Sequence, residues 1–258
     1  MRRWLALGLV ALAFAACRAE PTNDSGIRRN PPIAADDDDD QTTPLFDAGA
    51  PDAADTGPAQ PEPSKACLTG DLAFCFTFEG TTDDVSPNAI KPTTSTNITF
   101  APGKENQAAS FTATSALRFD PNPVFELSTN ATIEAWIRRQ NTGADSVVLD
   151  VDGRFSLTID AAANVLCKSG GGAVTGNTVV APEVWAHVAC VVDNGTLRVY
   201  LNGTEIGSGP GAIGSAPTLG AAIGGNSPDG EPFLGLIDSL RVFTVARTPA
   251  QISEAAKP

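Results

Sequence analysis

Three of this chain's four Asx-Gly dipeptides lie between two strand-like runs: Asp152-Gly153, Asn194-Gly195 and Asn202-Gly203. A tight two-residue turn needs positive φ at both central positions, which Asn or Asp followed by Gly tolerates, so each pair predicts a β-hairpin. The joined runs, SVVLDVDGRFSLTID and VWAHVACVVDNGTLRVYLNGTEIG, alternate in polarity or stay apolar over strand lengths. DLAFCFTFEG, SALRFD, ATIEAWIRR and GLIDSLRVFTVA do the same. Helical periodicity holds only in TPAQISEAAK, where Thr248 can cap and Pro249 takes the first helical position. Many short strands at close spacing predict an all-β antiparallel sandwich or jelly roll of two sheets, with a short C-terminal helix, over residues 67–258.

The first 66 residues read differently. Arg2 and Arg3 precede an apolar run from Trp4 to Phe14, and Ala15 and Ala16 lead to Cys17. A charged start, a short apolar stretch and small residues before a cut describe an export signal, and the run is too short to span a bilayer. FAAC resembles the lipobox of bacterial lipoproteins, with Phe14 where an aliphatic residue is usual. That resemblance implies lipidation at Cys17 and attachment to a membrane by acyl chains, at about 0.8 kcal/mol per buried methylene. Residues 18–66 are rich in Pro, Ala and Asp and carry 11 acidic against 4 basic residues, with Phe46 the only aromatic. So little apolar material cannot offset the entropy of ordering, so this segment is expected to be a disordered, extended tether. The Asp36–Asp40 run reads as part of that solvated spacer.

Residues 67–258 carry 19 acidic and 11 basic residues. An acidic domain without a basic run argues against a nucleic-acid partner. With Cys17 assigned to lipid, Cys67, Cys75, Cys167 and Cys190 remain, an even number that favours disulfides in an exported chain. Three pairings are formally possible. Cys67 with Cys75, near neighbours, and Cys167 with Cys190, both in strand-like stretches, is the favoured one. No CxxC spacing points to a thiolate metal site.

FTFEG, ATIEAWIRR, WAHVACVVDNGTLRVYLNGTEIGSG, AAIGG and FLGLIDSLRVFTVARTPAQISE follow one another in that order. Together they resemble the laminin-G-like jelly roll of the concanavalin A-like lectin/glucanase superfamily, over about 67–258. The resemblance implies two curved antiparallel sheets with the first strand close to the last.

His187, the sole histidine, shares its strand with Cys190, but alternation turns the two to opposite faces. Without a nucleophile in reach or a group to orient it, His187 reads as structural. Glycosidases generally need two carboxylates about the scissile bond. The best strand, ATIEAWIRR, offers only Glu134, while Asp150 and Asp152 of LDVDG read as turn residues. Catalysis is therefore not expected. Glu134, Trp136 and Arg138 share one face and are the candidate ligand-binding group; Trp185 is expected to fill the core. On regular alternation Asp238 lies on the face of Leu240 and Val242, with Ile237 and Phe243 on the other. A carboxylate there needs either backbone N–H donors or a cation. The resemblance implies a structural Ca²⁺ at such an Asp, with carbonyls from the first strand, at Glu79 and Gly80. In the GGNSPDGEP loop, Asn226, Asp229 and Glu231 are weighed as calcium ligands and read instead as loop composition.

These features predict a lipid-anchored, non-catalytic recognition module of the bacterial cell envelope, at the outer membrane or cell surface. Its expected partner is a glycan or an envelope protein. A structural envelope protein with no soluble ligand and a divergent glycoside hydrolase are the alternatives.

Overall fold

The computed structural model describes residues 67, 69–215, 220–226 and 230–257. The signal segment with Cys17, the tether and Asp229 lie outside the described residues. Among the described residues, fifteen strands form two antiparallel sheets.

The first sheet has the order β13 (Thr204–Pro210), β12 (Thr196–Leu201), β11 (Ala186–Asp193), β6 (Ala131–Arg139), β15 (Gly235–Phe243), β4 (Gln107–Phe111) and β3 (Thr99–Pro102); β1 (Leu72–Phe76) also pairs with β15. The second has the order β10 (Gly172–Val179), β9 (Asn164–Ser169), β8 (Phe155–Ile159), β7 (Ser146–Val151), β14 (Ala221–Ile223), β5 (Ala116–Phe119) and β2 (Thr94–Thr96). The implied closure of first strand on last is present, with Phe74 opposite Val242 and Phe76 opposite Leu240.

Turn chemistry explains much of this register. Asn194-Gly195 and Asn202-Gly203 have positive φ at both residues and close the β11–β12 and β12–β13 hairpins as two-residue turns. At the β7–β8 connection only Gly153 is left-handed, and Arg154 N donates to Val151 O at 2.9 Å, so that turn takes three residues. Asp150 is not a turn residue: it lies within β7 opposite Ser156 and Ala222. α1 (Pro249–Ala255) starts on a capping box, in which Thr248 Oγ1 accepts from Gln251 N and the Gln251 side chain accepts from Thr248 N.

The core lies between the sheets. Ile133, Ala135 and Ile137 of β6 meet Leu149 and Leu157 of the second sheet in one buried cluster. Phe74, Phe76, Phe119 and Phe125 pack within it at ring separations of 5.5 to 6.3 Å, mostly edge-on or tilted. Disulfides join Cys67 to Cys75 and Cys167 to Cys190. The second crosses the sandwich, because Cys167 is on β9 and Cys190 on β11, in different sheets.

Candidate functional site on the outer face of the first sheet

Alternation along β6 sends Glu134, Trp136 and Arg138 away from the core. Cross-strand register then decides their neighbours. Trp136 lies between His187 and Asp238, and Glu134 between Ala189 and Arg241. Residues directly opposite share a face, so Asp238 and Arg241 belong to this outer layer.

That placement corrects the regular alternation expected for β15. A β-bulge between Asp238 and Arg241, with Ser239 at φ 49°, shifts the phase. Ile237, Leu240 and Val242 consequently all join the core. The bulge falls where the free edge of β15 changes partner, from β4 (paired as far as Ile237) to β1 (paired from Leu240).

Glu134 is completely buried and binds two guanidiniums through one oxygen. Its Oε1 forms an ion pair with Arg241 at 2.9 Å and accepts a hydrogen bond from Arg247 at 2.5 Å, while Oε2 has no hydrogen-bond partner. Arg247 is held by its own N–H, which donates to Thr132 Oγ1 at 3.0 Å, and its guanidinium lies 4.6 Å from the Phe243 ring centre. His187 is also fully buried, with neither ring nitrogen hydrogen-bonded. Its imidazole meets the Trp136 ring edge-on at 5.4 Å. Burial, and then the positive charges of Arg241 and Arg247, push its pKa down to about 3. The imidazole is therefore neutral, with no nucleophile beside it.

The three candidate binding residues thus share a face but not a task. Glu134 holds arginines. Trp136 is 6% exposed with Lys104 Nζ 4.4 Å from its ring centre. Arg138 pairs at 3.4 Å with Glu183 and donates from Nε to the Glu183 carbonyl. Trp185, expected in the core, is half-buried instead.

Two pieces of chain cover this layer. Ile252 of α1 packs on Ala189, Val191 and Tyr200, and the Cys67–Cys75 disulfide packs on Leu72 and Phe243. Between them lies a cavity of about 300 Å³, lined by Trp136, Ser239, Arg241, Arg247, Glu254 and Lys257 among others.

The candidate calcium residues meet near the bulge. Asp238 is fully buried; its Oδ2 accepts from Lys104 N at 2.8 Å and Glu105 N at 3.0 Å, and its Oδ1 from the Ser239 hydroxyl at 3.2 Å. Glycine at 103 permits this approach, since a Cβ there would lie 2.7 Å from Asp238 Oδ2 and 2.5 Å from the Gln107 carbonyl carbon. Burial raises the Asp238 pKa to about 6; the three hydrogen bonds oppose the rise and the nearby Glu79 charge adds to it. Glu79 accepts from Gln107 N and the Asn106 amide, and Gly80 turns the chain with φ 73°. Backbone donors thus meet the buried carboxylate, and among the described residues no three His, Cys, Asp or Glu side chains converge as a metal cluster. The repulsion left between Glu79 and Asp238 is of the kind a divalent cation relieves, and oxygen donors suit calcium. In the second loop considered, Asn226 O accepts from Arg118 at 2.7 Å and Glu231 O from Val147 N at 3.0 Å.

Arg241 and Arg247 are the site residues that sequence reading missed. The bulge hides Arg241 from any alternation argument, and Arg247 stands beyond the last strand.

A sequence model of the Concanavalin A-like lectin/glucanases superfamily, of laminin-G type, matches residues 110–253. The chain belongs to this superfamily. Among solved structures it is similar to domain 4 of AbnA, an extracellular arabinanase of Geobacillus stearothermophilus in complex with arabinotriose, at 24% identity and TM-score 0.59, covering 72% of this chain and 98% of that one. The binding domain of Paraclostridial Mosquitocidal Protein 1 follows at 14% and 0.61, covering 72% and 52%. The binding domain of botulinum neurotoxin DC in complex with SialylT gives 13% and 0.54, covering 72% and 51%. The chain spans about half the length of the two toxin domains. These likenesses are of fold. No curated protein matches the sequence.

Proposed function

We propose that this chain is a non-catalytic carbohydrate-binding module displayed on a bacterial cell envelope. In this reading residues 1–17 direct export and lipidation at Cys17, residues 18–66 form the acidic tether, and residues 67–258 are the binding head. The observation that carries it is the match, over nearly the whole of that domain, to an arabinanase domain solved with arabinotriose. The state of Glu134 supports the non-catalytic part. The one carboxylate that ATIEAWIRR offers to a glycosidase pair lies between two arginines rather than beside a second carboxylate. Calcium at Asp238, with Glu79 and the Gly80 backbone, is part of the proposal.

The test is binding of the intact chain to a polysaccharide array, in calcium and again in EDTA. Saturable binding supports the module. Loss of that binding in EDTA, together with a calcium-dependent rise in melting temperature that Asp238→Asn abolishes, supports the metal. A folded chain that binds no saccharide in either condition but co-purifies stably with an envelope protein overturns the carbohydrate reading.

A further inference from the structure

Exposed apolar side chains are common singly, but several gathered on one surface mark a place where something docks. Trp185 and Leu236 are both partly exposed and belong to none of the three packed clusters, and Val184 beside Trp185 is 57% exposed.

Strand register sets Trp185 and Leu236 in one row. Thr99 of β3 is opposite Ser110 of β4, Ser110 is opposite Leu236 of β15, and Leu236 is opposite Arg138 of β6. The β6–β11 register, with Ala186 against Ile137, runs one residue further to bring Trp185 beside Arg138. Directly opposite residues share a face, so all five stand on the outer face of the first sheet. At about 4.8 Å between strands, four intervals make a strip about 19 Å long. α1 and the Cys67–Cys75 disulfide cover other rows of this face, and Trp136 in the next row is only 6% exposed. Every member of the strip is partly or fully exposed.

The Trp185 end is held in place before any ligand arrives. Glu183 N donates to the Arg139 carbonyl at 2.8 Å, Arg138 Nε to the Glu183 carbonyl at 3.1 Å, and the Arg139 guanidinium to the Val180 carbonyl at 3.1 Å. Glu183 keeps a φ of 59°, which a non-glycine residue holds only where its surroundings fix it. A pre-ordered surface loses less entropy on binding. Beyond the bulge, the Glu134–Arg241 ion pair joins the same two strands, and so fixes the β6–β15 register from which Arg138 and Leu236 project.

The chemistry of the strip defines its occupant. Its one charge, Arg138, is already paired with Glu183, so no ion is called for. The hydroxyls of Thr99 and Ser110 have no partner among the described residues, and each can donate or accept. One tryptophan, one leucine and one valine fall far short of the about 800 Å² that each partner covers in a stable protein interface. An apolar ring at one end and free hydroxyls at the other suit an extended, uncharged molecule with apolar faces and hydroxyl edges.

We propose that this strip binds a neutral oligosaccharide chain lying across the strands, with one sugar ring on Trp185 and hydroxyls bonded to Ser110, Thr99 and the Arg138–Glu183 pair. The inference rests on the carbohydrate-binding reading and gives it a ligand class and a place.

The intact chain and its variants are tested against immobilised arabinan, galactan, mannan and β-glucan as neutral probes, with pectate as the charged control. The expected result is saturable binding to at least one neutral polysaccharide, unchanged by high salt. Trp185→Ala should weaken it at least about tenfold at an unchanged unfolding midpoint, and Trp185→Phe should keep part of the affinity. Thr99→Arg, at an exposed strand position, blocks the far end and should weaken the same binding at least about threefold; it decides the case if Trp185→Ala does not fold. Full affinity in a folded Trp185→Ala or in Thr99→Arg, or binding confined to pectate and abolished by salt, overturns the strip and leaves the carbohydrate reading standing. A folded chain that binds no saccharide overturns both, and a stable protein partner lost in Trp185→Ala then assigns the strip to protein.

Discussion

The two faces of the first sheet come from the same strands and could hardly differ more. Inward, Ile133, Ile137, Cys190, Ile237 and Val242 pack against the second sheet. Outward, one residue along or across a bulge, stand Glu134, Trp136, His187, Asp238 and Arg241, also buried or nearly so, but carrying charges and orphan polar atoms. The inner layer gains stability simply by leaving water. The outer layer loses solvation that its ion pairs only partly return. Burial alone therefore does not define a core. The inner face explains why the chain folds, and the outer face is where the sequence tolerates a cost that folding does not require.

The largest expected effect is on the inner face. Phe76→Ala removes a ring that contacts Phe74, Phe78 and Phe119 and should cost about 4 kcal/mol in denaturant unfolding. A loss under about 1 kcal/mol would mean that the aromatic cluster is not the centre of the fold.

The pH response separates the faces further. As pH falls below about 6.5, the unfolded chain protonates its histidine but the folded chain does not, because His187 stays neutral until about 3. That loses stability, with a limiting slope of about 1.4 kcal/mol per pH unit. Asp238 works the other way. Its folded pKa of about 6 exceeds the unfolded value of 3.8, so its contribution is full below 3.8 and is lost as pH rises through 6. Between pH 6 and pH 4 the two oppose each other. With calcium chelated, His187→Phe should make the protein more stable at pH 5 than at pH 7, whereas Asp238→Asn should steepen the acid loss. Identical profiles for both variants and the parent would contradict these environments.

A smaller effect is expected at the cover. Thr248→Ala removes the capping box of α1 and should cost about 1 kcal/mol.

How much of this was legible follows the same division. Two Asx-Gly turns, the capped helix and the alternating strands were plain from residues 131 to 255, because turn geometry and a buried face constrain residue type directly. β2 and β3 are short, part-exposed and small-residue strands, TST and TFAP, and carry no clear period. β10, GAVTGNTV, is largely exposed and equally mute. At the site, sequence placed Glu134 and Trp136 on one outward face. It missed Arg241, because a bulge resets alternation without a marker glycine, and Ser239 takes the positive φ itself. It placed Asp150 in a turn, because Asp-Gly pairs hide whether the turn takes two residues or three. Its pairing of Cys167 with Cys190 concerned neighbouring strand-like stretches, whereas the bond runs between sheets.

The most direct measurement replaces the outer-face ions by apolar side chains of similar size, in the triple variant Glu134→Leu, Arg241→Met, Arg247→Met. Unfolding midpoint and binding to the polysaccharide array are then measured on the same sample. If the cluster serves recognition rather than folding, the midpoint stays level or rises, as buried ion networks replaced by packed apolar groups often do, while binding is lost. A fall in stability of more than about 2 kcal/mol with binding retained would show that the ions hold the sandwich together and that the ligand lies elsewhere.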